Sequence, residues 1–187
     1  MNHPQNPKSK DVLNAIDHLS TSGTLAENQD IVFLSLSDDW IFDALEVLKD
    51  FGFVRPPFFL YPPVPVGAHI KIVTKEEAEK YEVFDKRDVI DHLLGKTVNF
   101  EVVTAHVTGP RSKKKGDEVK IRVRSPELSE IRQELTGLRT GPNNGHFVIL
   151  VGVRNPELNK HEEFEKKLSP DEKHEELDDM EDDIDEH

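Results

Sequence analysis

Two β-type runs constrain this chain most: Gly67-Ala-His69-Ile-Lys71-Ile-Val73 and Gly145-His146-Phe-Val148-Ile-Leu-Val151. Both are short, rich in branched aliphatic residues and opened by glycine, so both read as strands. His146 follows His69 by 77 positions (146 − 69), and each run ends a similar succession of strands and helix. A repeated unit delivering one imidazole per copy suggests a shared two-histidine acid/base site, because imidazole titrates near neutral pH.

The 187 residues suffice for one domain with a substantial core plus appendages. With no cysteine in the chain, disulfides, zinc–thiolate sites and a thiol nucleophile are excluded. No apolar stretch approaches the roughly 20 residues of a membrane span, and Met1-Asn-His-Pro-Gln-Asn-Pro-Lys8 has no apolar core for a secretory signal. The expectation is a soluble, cytoplasmic protein with no membrane partner. Its net charge of −13 is unevenly spread: from Asn155 onward there are 15 acidic and 4 basic residues, a net of −11, leaving −2 elsewhere. Such a tail reads as disordered or as a solvated helix that aids solubility, with contact to a basic protein partner as the alternative.

The expected organisation is an N-terminal extension (1–29) with a short amphipathic helix from Asp11, a domain over 30–154, and the acidic tail over 155–187. Within the domain, Ile31 to Leu36 reads as a buried strand, and Ile41, Ala44, Leu45 and Leu48 as one helical face. Prolines at 56, 57, 62, 63 and 65 extend the chain before a strand over 66–73. Thr74 and Glu77 form a capping box, and a further helix spans Lys86 to Leu94. Thr97 to Val107 reads as one strand and joins Glu118 to Arg124 through a hairpin loop. Ser125-Pro126 opens a helix with a stripe of Leu128, Ile131, Leu135 and Leu138. The order is β-α-β-α then β-β-α-β, an α+β arrangement of sheet and helices.

Alternation places His69 with Lys71, His146 with Val148, and Lys120 with Arg122 and Arg124, each set on one strand face. If helices cover the opposite, apolar faces, the open surface carries two histidines and up to four cations, which suits a phosphate. One neutral histidine would take a proton from water, and a protonated one would supply the leaving oxygen. No metal or cofactor is required by that chemistry. Trp40 and the Phe58-Phe59 pair read as core, and the basic run from Arg111 to Lys115 as a solvated hairpin tip.

The strand order, the lead into "AHIKIV", the segment "VKIRVRSPELSEIRQEL" and "GHFVILVGV" together resemble the 2H phosphoesterases across roughly Ile31 to Arg154. That superfamily includes RNA 2′,3′-cyclic phosphodiesterases and 2H domains of RNA-repair proteins. The resemblance implies a pseudo-symmetric fold of antiparallel sheets with helices outside and a central cleft. It also implies His69 and His146 as catalytic residues, with a nucleotide or RNA end as substrate or ligand. Members usually carry His-x-Thr or His-x-Ser twice; here the hydroxyl positions hold Lys71 and Val148. Lysine replaces a hydroxyl with a charged donor on a longer stem, whereas valine donates nothing. The missing contact would come from Arg122, Arg124, backbone amides or ordered water. The one literal match, His106-Val-Thr108, lies only 37 positions past His69 (106 − 69) and reads as the end of the third strand, with a place beside the cleft in contact with substrate as the alternative. A binding module for RNA ends without turnover is the competing expectation.

Overall fold

The computed structural model describes residues 5–57, 66–108 and 116–154. The Phe58-Phe59 pair, most of the proline segment, the basic run from Arg111 to Lys115 and the acidic tail lie outside the described residues.

The described chain is α+β, with seven strands and five α-helices. The strands are β1 (Ser22–Glu27), β2 (Val32–Ser35), β3 (His69–Val73), β4 (Thr97–Asn99), β5 (Glu101–Thr108), β6 (Asp117–Arg124) and β7 (Phe147–Arg154). The helices are α1 (Ser9–Ile16), α2 (Asp39–Leu48), α3 (Lys75–Lys80), α4 (Arg87–Leu93) and α5 (Pro126–Thr136). One sheet runs in the order β4-β1-β2-β3-β7-β6-β5, every neighbouring pair antiparallel. β4 and β5 hold opposite edges although only Phe100 separates them in sequence. The sheet therefore curls into a half-barrel that brings its two edges together at that residue. The Phe100 N–H donates to the Thr21 carbonyl, and Ser125 Oγ donates to the Asn99 carbonyl, fixing the turn from both sides.

Two elements differ from the sequence reading. The expected single strand over 97–107 breaks at Phe100, whose buried ring packs beside Trp40. Its alternating pattern is continuous across the break, so periodicity alone cannot locate the turn. The folded unit also starts well before residue 30: α1 buries Val12 and Ile16 against α2 and β5, and β1 sits between β4 and β2. Leu25 is the one buried side chain of β1, too little for an alternation signal. Ser9 Oγ accepts from the Ala105 N–H on the outer edge of β5, so the helix covers a strand edge that would otherwise invite pairing.

The core lies on one face of the sheet. Leu34, Ile70, Ile72, Ile121, Ile149 and Val151 are buried there together with Trp40, Ile41, Leu128 and Leu135 from the helices. Each such side chain contributes about 1.5–3 kcal/mol relative to exposure. α2 packs on β7, and α5 on β3 and β4. Ser125 caps α5 by accepting from the Leu128 N–H, Pro126 follows, and Gly137 closes the helix in the left-handed conformation. Leu138, expected in the buried stripe, falls beyond that stop and is exposed. Among the described residues, no helix is long and apolar enough to cross a membrane.

One buried cation links the elements. Arg132 of α5 is 2% exposed. It donates to the Ile72 carbonyl (2.7 Å), to both carboxylate oxygens of Glu77 (2.8 and 2.7 Å) and to the Thr140 carbonyl (2.5 Å). Glu77 also completes the capping box with Thr74 at the start of α3. Truncating one partner of such a pair strands the other, so Arg132→Ala should lower unfolding free energy by about 3–5 kcal/mol in denaturant titration. The Arg132 hydrogen bonds hold the Glu77 carboxyl below its ordinary 4.5. A depressed carboxyl stabilises the fold above its unfolded pKa, and that stability is lost as pH falls from 4.5 through the folded value. Glu77→Gln should remove this part of the acid sensitivity, read as a shallower fall of stability below pH 4.5.

Candidate functional site

His69 enters β3 opposite Ser35 of β2. The turn before it is set by Asp38, whose Oδ1 accepts from the Ala68 N–H at 2.9 Å, while the Ala68 carbonyl accepts from the Leu36 N–H. Asp38 thus serves this turn instead of capping α2. Gly67 adopts φ +67°, and a Cβ there would stand 2.6 Å from Asp38 Oδ1. Only glycine fits both demands. The Gly67 carbonyl lies 2.9 Å from His69 Nδ1. A carbonyl has no hydrogen to give, so Nδ1 is the donor and the neutral ring carries its lone pair on Nε2. The Phe33 ring meets the imidazole edge-on with centroids 5.6 Å apart. Burial, chiefly, and the Lys71 charge push His69 below the ordinary 6.5, against the opposing pull of the Gly67 bond.

His146 is placed by a tight hairpin. Asn143 and His146 exchange both backbone hydrogen bonds across Asn144 (φ 52°) and Gly145 (φ 86°). Two positive φ values in a two-residue loop define a type I′ turn, which Asn-Gly favours. The ring is held from β6: Arg122 Nη2 lies 2.7 Å from Nδ1 and 2.5 Å from Nε2. A guanidinium only donates, so this contact uses a lone pair of the ring.

Both histidines line one cavity of about 270 Å³, with Lys71, Lys120, Glu118, Thr74, Asn143, Val148 and Leu150 also on its wall. It lies on the face of β3, β7 and β6 opposite the core. Of the predicted residues, His69, His146, Lys71 and Lys120 therefore come together. Arg122 and Arg124 do not line this cavity; they line an adjoining groove that shares His146. The open cation face expected from alternation is also less positive than the sequence suggests. Lys120 is 9% exposed and paired with Glu118 at 2.8 Å, and Arg124 is paired with Glu101 at 2.8 Å on the surface.

Glu118 was missed as a cavity residue. Glu118 precedes Lys120 by two positions on the same strand, so alternation alone could have found it. His106 stands across from Lys120 in the β5–β6 ladder. Burial, then the charges of Lys120, Arg122 and His146, lower its pKa from 6.5, so the literal His-x-Thr histidine lies within electrostatic reach of the site. Among the described residues, no group of three His, Asp or Glu side chains is arranged to hold a metal. Comparison with family models, with curated proteins and with solved structures found no match to this chain.

Gly67→Ala should cost about 1–2 kcal/mol from the left-handed backbone alone, with Asp38 displaced in addition. The Asp38–Ala68 bond would be lost, and the His69 ring resonances in NMR should shift toward those of an exposed histidine. In the wild type, NMR titration should find His69 less than half protonated at pH 6.5, where an ordinary histidine is half protonated. Its depressed pKa adds stability above 6.5 that is lost as pH falls through the folded value.

Proposed function

We propose that the cavity binds a phosphodiester and that the protein is a 2H-type phosphoesterase acting on the 2′,3′-cyclic phosphate of a nucleotide or RNA end. The single observation carrying this reading is that His69 and His146, far apart in sequence, line one cavity with Lys71 and Lys120. The chain order supports the pseudo-symmetric form of the fold. β1-β2-α2-β3 and β5-β6-α5-β7 follow the same strand-strand-helix-strand plan, and their last strands meet antiparallel at Ile70 and Ile149.

In this reading His69 is the general base. Its Nδ1 bond to Gly67 fixes the tautomer, and Nε2 takes a proton from the attacking water. As the new P–O bond forms, the bond to one ribose oxygen breaks and His146 protonates that oxygen. In the acid role His146 carries both ring protons and no longer accepts from Arg122. The phosphate then takes over the guanidinium, which supplies the donor that Val148 leaves wanting, while Lys71 contributes its own charged donor. The apolar Val148 wall and the Lys120–Glu118 pair favour a second reading, recognition of the same anion without turnover.

The test is hydrolysis of nucleoside 2′,3′-cyclic phosphates and of RNA ending in a cyclic phosphate, with chelator present. His69→Ala and His146→Ala should each lower kcat/KM by about 10²–10⁴-fold. The acid limb of the pH profile should lie below 6.5, set by His69. Wild-type turnover in either variant overturns the mechanism, while salt-sensitive binding without product assigns the cavity to recognition.

A further inference from the structure

The groove adjoining the histidine cavity has a different electrostatic character. It encloses about 520 Å³ and meets the first cavity at His146, which among the described residues is the one that lines both. Its wall carries Arg122, Arg124 and Arg139, the hydroxyl-bearing Ser125, Ser129 and Thr140, and backbone of the turn that holds His146. Among the described residues, no carboxylate lines it. In the first cavity Glu118 offsets Lys120. Arg139 donates to the neutral Gln133 amide at 2.6 Å, and Arg124 reaches Glu101, which is outside the groove wall. Arg122 and Arg124 from β6 and Arg139 from the segment after α5 line this one groove, and guanidiniums suit the planar, multidentate recognition of a phosphate.

We infer that this groove is a second phosphate site, so that the preferred ligand is a nucleotide carrying a further phosphate beyond the group held between His69 and His146. This deepens the phosphodiester reading and rests on it for the position of the first anion. Arg122 joins the two positions, since it lines the groove and touches His146. Arg124 and Arg139 are exposed and hold the second phosphate at the outer side, with Ser129 available as a hydroxyl donor. A 5′-phosphorylated mononucleotide and the next phosphate of an RNA chain present the same chemistry.

Equilibrium binding to His69→Ala, which separates binding from turnover, distinguishes these ligands. The probes are a nucleoside 2′,3′-cyclic phosphate, the same nucleotide with a 5′-phosphate, and a dinucleotide with the same cyclic end. The second phosphate should tighten binding by about tenfold or more, as expected for hydrogen bonds to a charged group. Adding Arg124→Gln and Arg139→Gln should abolish that gain, and Arg139→Lys should restore part of it. Both side chains are exposed, so the fold does not depend on them. A gain from the dinucleotide alone identifies an RNA chain as the source, and a gain from the 5′-phosphate alone identifies the mononucleotide. Equal affinity for all three probes, or a gain that survives the double substitution, overturns the site. Hydrolysis of the simple cyclic nucleotide alongside equal affinities would leave the catalytic reading standing without it. A phosphate-dependent gain with no hydrolysis would do the reverse.

Discussion

The buried guanidinium of Arg132 is the constraint on which both sides of the site depend. It reaches the Ile72 carbonyl on the strand that begins with His69, and the Thr140 carbonyl just before the hairpin that ends at His146. Glu77 supplies its counter-charge and at the same time caps α3. A cation 2% exposed is tolerated only because these acceptors replace its water. The arrangement ties two segments 68 positions apart (140 − 72) to one side chain.

Around that point, each histidine is oriented by a local device of a different kind. For His69 the device is a turn: Asp38 holds the Ala68 N–H, glycine makes room, and the Gly67 carbonyl fixes the ring nitrogen. For His146 it is a type I′ hairpin for the backbone and Arg122 for the ring. One imidazole is thus held by an acceptor and the other by a donor. The two rings therefore stand in different hydrogen-bonding environments although they line one cavity. The cavity between them is walled by Val148 and Leu150 as well as by charges, so those charges act next to apolar surface, where they are screened less than in open water.

Much of this was legible from local pattern. The capping box at Thr74 and Glu77, the Ser125-Pro126 helix start and the period-two alternation of Lys120 and Arg122 each have a short-range cause, and each is present. β1 escaped because Leu25 alone marks it, and the break at Phe100 escaped because alternation continues through it. The same alternation placed Arg122 and Arg124 on one face with Lys120 but could not show how sheet curvature splits that face between two cavities. Arg132 read as an ordinary helix position, since nothing within a few residues reveals acceptors 55 and 60 positions away.

The amino-acid order by itself determined which segments are strands and helices over most of the domain, which side chains share a face, and that two imidazoles sit at the entries of two similar strands. These follow from backbone periodicity and capping chemistry, whose range is a few residues. Only the tertiary structure decided that the two strands are neighbours, that Glu118 offsets Lys120, and that Arg122 attends His146 from another strand. Those outcomes depend on sheet order and curl, which arise when distant segments bury a common apolar face, and no local spacing encodes them.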